Sequence, residues 1–213
     1  MKYSIIEIFN SIEGEGKRAG VPASFVRLKG CNLSCPYCDT LYAMQDEPVL
    51  MNINEIIACL KYKRVTLTGG EPLITEGIEI LIYWLIRKGF EVNIETNGSV
   101  DISHIRLHKR LFFTMDYKLP SSLAINEMVL ENYKILRKTD VIKFVVGDEY
   151  DFKAMCEFLL EYKPIAQIFV GAVYKQFELQ RLATLILNTP CLENARLQLQ
   201  YHKIIWNPDM RGV

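Results

Sequence analysis

The sequence predicts an α/β protein, an open partial (β/α)6 barrel, from three observations. Short runs rich in β-branched and aromatic residues alternate with helix-like stretches of roughly a dozen residues, the pattern of βαβ units around a parallel sheet. The alternating strand-like runs number about six, too few to close a barrel of about eight strands at ordinary curvature. Polar motifs follow successive strand-like runs, and such sheets bind their ligands at the C-terminal strand ends.

In chain order, residues 3–9 are strand-like, and residues 10–20 form a loop marked by Gly14, Gly16 and Gly20. Residues 23–28 make a strand that feeds directly into a loop over 30–40. Residues 54–61 read as a short amphipathic helix, and 65–68 as a buried strand ending in Gly69-Gly70. Residues 75–88 read as a helix closed by Gly89, where a left-handed cap is expected. Residues 91–96 alternate as a strand and stop at Asn97-Gly98. Further strands are expected over 111–116, 141–146 and 167–172, and further helices over 125–138, 151–162 and 176–187. No repeat, low-complexity tract or linker divides residues 1–213, which read as one domain. The helix near residue 80 is unusual, because Ile78, Ile80, Leu81, Ile82, Tyr83, Trp84, Leu85 and Ile86 leave it apolar on nearly every face. A helix covering a barrel keeps one polar side. Burial on both sides therefore points to a homodimer, most simply a two-fold one.

Composition narrows the function classes. Lys+Arg 25 balances Asp+Glu 25, whereas proteins that grip a nucleic-acid backbone carry a basic excess, so no nucleic-acid partner is expected. No apolar run approaches the ~20 residues that cross a bilayer, and residues 1–9 do not read as a signal peptide. Six cysteines without such a signal indicate the cytoplasm, where metal or catalytic roles outrank disulfides. Cys59, Cys156 and Cys191 sit singly among apolar residues and read as small core side chains. His104, His108 and His202 form no ligand pair by spacing, and only His202, near the C-terminus, is placed for a site role.

The chemistry is concentrated in the loop Gly-Cys-Asn-Leu-Ser-Cys-Pro-Tyr-Cys-Asp-Thr, where Cys31, Cys35 and Cys38 are spaced C-x3-C-x2-C. Pro36 disfavours a helix at Cys35, and Gly30, Asn32 and Ser34 favour turns, so the thiols curl around one centre. Thiolates suit iron–sulfur clusters, zinc or Cu(I). A structural zinc site closes with about four protein ligands, and no fourth Cys or His lies nearby. A [4Fe–4S] cluster on three cysteines leaves one iron open for a non-protein ligand.

This loop, with the aromatic Tyr37 before its last cysteine, resembles that of the radical S-adenosylmethionine (SAM) enzymes. The resemblance implies a TIM-like partial barrel, a [4Fe–4S] cluster whose open iron chelates SAM, and reductive cleavage of SAM to a 5′-deoxyadenosyl radical. An electron donor such as a flavodoxin or ferredoxin is then required. Thr68-Gly69-Gly70-Glu71-Pro72 resembles the motif that receives the SAM methionyl group. Glu95 and Asn97 suit its ribose or carboxylate, and Asp116 with Lys118 resembles another SAM-contacting stretch. Tyr37 and Asp39 join the same set, with Ser121 and Ser122 as further candidates.

Within that superfamily the chain resembles the 7-carboxy-7-deazaguanine synthases. The resemblance is carried by Glu7-Ile8-Phe9-Asn10-Ser11-Ile12-Glu13-Gly14-Glu15-Gly16, Phe25-Val26-Arg27, Asp39-Thr40 and the terminal Arg211-Gly212-Val213. It implies a pterin substrate, 6-carboxy-5,6,7,8-tetrahydropterin, contacted by Ile12, Glu13, Gly14, Arg27, Thr68 and the carboxylate of Val213. Arg27 suits the substrate carboxylate because a guanidinium binds it as a fork. The resemblance also implies a Mg2+ ion held by the Thr40 hydroxyl. Glu13 stands where many of these enzymes carry Gln, and residues 168–174 lack the polar residue often found near SAM. A glycyl-radical activase shares the cysteine loop, and a zinc or electron-transfer module is the non-catalytic alternative. The activase lacks a reason for the Gly-Glu-Gly loop and the C-terminal motif, and zinc without iron or labile sulfide would mark the non-catalytic module.

Overall fold

The computed structural model describes all residues, 1–213. Strand β1 (Tyr3–Ile12) pairs antiparallel with β2 (Pro22–Leu28). Helix α1 (Tyr42–Gln45) leads to β3 (Val49–Met51), which adds antiparallel to the other edge of β1. From β2 onward every pairing is parallel. The remaining strands are β4 (Arg64–Gly69), β5 (Glu91–Thr96), β6 (Leu111–Tyr117), β7 (Val141–Val146), β8 (Gln167–Ala172) and the two-residue β9 (Arg196–Leu197). The nine-stranded order β3-β1-β2-β4-β5-β6-β7-β8-β9 never closes on itself. Strands β2 and β4 to β8 are the expected parallel units, and the fold is the open partial barrel.

Helices α2 (Ile53–Cys59), α3 (Ile78–Arg87), α4 (Leu130–Ile135), α5 (Glu149–Tyr162) and α6 (Leu179–Leu187) intervene between the strands, and α7 (Tyr201–Ile205) follows β9. Local chemistry sets several ends. Asn52 and Glu55 form a capping box at the start of α2. Asp148 accepts from the Asp151 amide, 2.8 Å, at the start of α5. Gly89 adopts φ +87°, as its place after α3 requires. The core lies between sheet and helices. Val26, Leu67, Ile94, Phe113, Ile142 and Phe144 belong to one buried cluster with Leu81 and Leu85 of α3 and Met155 and Phe158 of α5. Full burial of side chains of this size contributes about 1.5–3 kcal/mol each.

Beyond the added elements α1, β3, β9 and α7 and the run of β1 on to Ile12, the structure differs from expectation in three helices and in the burial of the single cysteines. The helix expected over 125–138 is broken into a 3-10 turn, Ile125–Glu127, and α4. At the break the Val129 amide bonds Gly98 O at 3.1 Å, and the buried Asn132 amide group donates to Val100 O at 2.8 Å. Tertiary bonds to the loop after β5 thus take the place of helical continuity. The helix expected from 176 begins at Leu179, because the amides of Gln176 and Phe177 bond back to Val173 O, 3.1 and 3.2 Å. The helix expected from 75 starts at Ile78, behind Gly77 at φ +70°. Cys59 and Cys191 are exposed, which corrects their reading as core residues, whereas Cys156 is half-buried and packs against the core. In those turns Ile56 and Leu192 take the buried positions. Cys156 also neighbours Cys191, and burial together with that neighbour pushes its thiol up to about 12. On α3, Ile78, Leu81, Ile82 and Leu85 are buried, while Ile80, Tyr83 and Trp84 form an exposed stripe on the outer side.

Candidate active site

The C-terminal ends of the parallel strands open into one cavity of about 1000 Å³. Its wall includes Cys31, Cys35, Cys38, Tyr37, Asp39 and Thr40 after β2, and Thr68, Gly69 and Gly70 at the end of β4. Glu95 and Asn97 line it from β5, Asp116 and Lys118 from β6, and Arg27 from β2. Ile12, Glu13 and Gly14 enter from the end of β1, and Val213 and His202 from the C-terminal segment. Residues from both ends of the chain therefore share one space.

The cysteine loop is tied at both ends. Gly30, at φ +93°, donates to Ala43 O at 3.1 Å, and its own carbonyl accepts from the Glu71 amide at 2.8 Å. Gly70 must lack a side chain, because a Cβ there would stand 2.2 Å from Gly30 O and 2.6 Å from Cys31 Cβ. The Leu33 amide points at Cys31 Sγ, 3.4 Å, and Asn97 Nδ2 approaches the same sulfur at 3.8 Å. All three thiols are free and half-buried on one wall. Burial pushes the thiols of Cys35 and Cys38 up, and the neighbouring sulfurs add to it. A bound iron cluster reverses that cost, since coordination holds the sulfurs as thiolates. Three free thiols on one cavity wall, with two N–H donors aimed at the sulfur of Cys31, supply the soft ligand set that such a cluster takes.

Glu71, expected among the ligand contacts, is turned behind the wall. Its carboxylate is fully buried and accepts from the amides of Leu73 and Asn97, 2.9 and 2.6 Å, and from Thr96 Oγ1, 2.9 Å. Burial pushes it up to about 7 against those donors. It joins the glycine turn after β4 to the Asn97 turn after β5. Ser121 and Ser122 also lie off the cavity. Ser121 bonds the Asp151 carboxylate, and Ser122 Oγ donates to Leu119 O at 2.6 Å.

The barrel interior is charged. Glu13 Oε1 accepts from Arg18, 2.6 Å, and from Thr66 Oγ1, 2.6 Å, so the carboxylate is paired below the cavity floor. Asp116 bridges Lys118, 2.6 Å, and Lys143, 3.1 Å, while Lys143 also reaches Glu15 at 3.0 Å. Asp116 and Lys118 are thus an enclosed pair rather than a surface one. Burial works against all these charges. The two ammonium groups nonetheless hold Asp116 below its ordinary range, and Asp116 raises both lysines. Burial pushes Glu95 up to about 7, with Lys143 opposing and Glu13 and Glu15 adding to the rise. Lys143 was missed in the sequence, although a lone lysine in the apolar run Val-Ile-Lys-Phe-Val-Val is the signal that marks it.

The C-terminal segment closes one side. Lys203 pairs with Asp39 at 2.8 Å. Enclosure works to raise that carboxyl, and the charge and hydrogen bond of Lys203, with the Thr40 hydroxyl, bring it down to about 2. Because 54% of the Asp39 side chain is open, the pair positions Asp39 more than it stabilises the fold. Burial lowers His202, which keeps its imidazole neutral at pH 7 beside Gly14. Arg211 lies 3.9 Å over the Tyr42 ring and 2.8 Å from Asp46. Arg27 is held by Glu7 at 2.7 Å, and the same oxygen accepts from Tyr42 at 2.8 Å.

Comparison with known proteins agrees with this geometry. The Radical SAM superfamily model matches residues 25–145. The 7-carboxy-7-deazaguanine synthase of Clostridium acetobutylicum is 41% identical over 222 residues, covering 100% of both chains. That of Methanospirillum hungatei is 40% identical over 96% of this chain and 86% of its own. The crystal structure of QueE from Escherichia coli superposes with a TM-score of 0.74 at 26% identity, covering 94% of each chain. A radical SAM enzyme carries a [4Fe–4S] cluster and uses SAM, and Cys31, Cys35 and Cys38 line one wall of the cavity. With its family's cysteine loop, barrel and full-length relatives in place, the chain belongs to the 7-carboxy-7-deazaguanine synthases of the radical SAM superfamily.

Proposed function

We propose that this enzyme converts 6-carboxy-5,6,7,8-tetrahydropterin to 7-carboxy-7-deazaguanine and ammonia, a step of deazapurine and queuosine biosynthesis. The atoms balance without a further reactant, since the product is the substrate less one NH3. The observation that carries the reading is the shared cavity, which the three thiols and the Arg27 side chain line together. When bound, the cluster and SAM supply a hydrogen-abstracting radical. The protein's part is to bind, orient and exclude water.

On this reading Tyr37, Asp39, Gly69, Gly70, Glu95, Asn97, Asp116 and Lys118 hold SAM, and Glu71 acts on it only through the backbone of its neighbours. Arg27 takes the substrate carboxylate as a fork. Ile12, Glu13, Gly14 and Thr68 offer backbone and hydroxyl groups to the pterin, and the Val213 carboxylate accepts from its amino-pyrimidine edge. Thr40 gives its hydroxyl to a Mg2+ ion that keeps waters and ligand oxygens. The chain works as one domain in the cytoplasm, fed by a flavodoxin or ferredoxin, and pairs as a homodimer through the outer stripe of α3. Anaerobically reconstituted protein given SAM, reductant and the carboxypterin should release a product lighter than substrate by one ammonia. SAM cleavage with the pterin unchanged would refute the substrate.

A further inference from the structure

Tyr42 lies beside two arginines on the cavity wall. Its ring is 5.5 Å from the guanidinium carbon of Arg27 and 3.9 Å from that of Arg211. Its hydroxyl donates to Glu7 Oε1 at 2.8 Å, the atom that accepts from Arg27 Nε at 2.7 Å. The second anchor of Arg27 is longer, Nη1 to Gly69 O at 3.3 Å. Glu7 therefore supplies the close contact that sets the plane of the fork, and Tyr42 fixes Glu7 in turn. The ring also carries Arg211, which Asp46 holds at 2.8 Å and which precedes Gly212 and Val213.

We infer that Tyr42 is a positioning residue with two separable functions: its hydroxyl orients Arg27 through Glu7, and its ring seats the C-terminal residues over the cavity. The first half rests on the reading of Arg27 as the fork for the substrate carboxylate. The second half rests on the stacking geometry alone. Neither places Tyr42 in contact with reacting atoms, so its signature is in substrate binding rather than in turnover.

The experiment compares Tyr42→Phe, Tyr42→Leu, Glu7→Ala and Arg27→Ala in reconstituted holoenzyme with the carboxypterin as probe. Tyr42→Phe should raise KM about tenfold, the effect of one lost hydrogen bond to a charged group, with kcat within about twofold. Tyr42→Phe combined with Glu7→Ala should be no worse than Glu7→Ala alone, because the hydroxyl acts through Glu7. Hydrogen exchange over residues 207–213 should be unchanged in Tyr42→Phe, which keeps the ring, and faster in Tyr42→Leu. Unchanged KM in Tyr42→Phe, with KM raised in Arg27→Ala, would refute the hydroxyl's role. Unchanged KM in Arg27→Ala would instead refute the fork itself, and the hydroxyl's role with it. Equal tail exchange in the Leu variant and wild type would refute the seating role, whatever the kinetics.

Discussion

Gly70→Ala should damage the cysteine loop while leaving the sheet intact. The new Cβ would lie 2.2 Å from Gly30 O and 2.6 Å from Cys31 Cβ, both held by the backbone rather than by a flexible side chain. Relief to an ordinary contact near 3.4 Å requires the two segments to part by roughly 1 Å. That movement stretches the Glu71 amide bond to Gly30 O, now 2.8 Å. Overpacking of this kind costs about 1–3 kcal/mol, and a lost backbone hydrogen bond about 1 kcal/mol more. Together they amount to about 2–4 kcal/mol, or roughly 5–15 °C in Tm for a chain of this size. Gly171→Ala is the control, because a Cβ there meets only Gln198 O at 3.5 Å. Thermal melts of apo protein and iron content after anaerobic reconstitution give the two readouts. Both should fall in Gly70→Ala and neither in Gly171→Ala. Equal melting and equal iron in wild type and Gly70→Ala would refute the view that close backbone approach shapes the cluster loop.

Replacing Cys31, Cys35 or Cys38 by Ala should abolish reconstituted iron and SAM cleavage, whereas Cys156→Ala should keep both at a cavity cost of ~1–2 kcal/mol; loss of cluster in folded Cys156→Ala would contradict the assignment. Thr40→Val should weaken the Mg2+ dependence of turnover while sparing the cluster, and superimposable Mg2+ titrations of variant and wild type would count against a ligand role. Burial lowers Lys17 to about 8, with its ammonium over the Phe112 ring at 3.4 Å. Its folded pKa lies below the unfolded one, so the stability it contributes is greatest above pH ~10.5 and declines as pH falls through 8. Urea melts of wild type and Lys17→Met should therefore converge from pH 8 to 10, and a gap independent of pH would refute the shift. Tyr83→Glu on the exposed stripe of α3 should convert a dimer to a monomer by light scattering, and a wild type that is monomeric at micromolar concentration removes the homodimer.

Hydrophobic periodicity and punctuation by glycine, proline and capping residues act over a few neighbours, and so the sequence alone specified much of the frame. The strands over 91–96, 141–146 and 167–172 were legible to the residue, as was the glycine that closes α3. The cysteine loop and the polar motifs at strand ends were legible for the same reason, because a parallel sheet delivers every strand end to one side. What only the tertiary structure decided is where each polar group spends its hydrogen bonds. Glu71 sits beside Gly69-Gly70 in the sequence, yet its partners Thr96 and Asn97 lie 25 and 26 residues away and turn it from the cavity. Lys143 meets Glu15 across 128 residues and Arg211 meets Asp46 across 165. Val129 breaks a helix to bond Gly98, a partner that no local window contains. An enclosed charge or amide must find a partner wherever the fold brings one, and the identity of that partner is set by the crossing of distant segments rather than by neighbours along the chain.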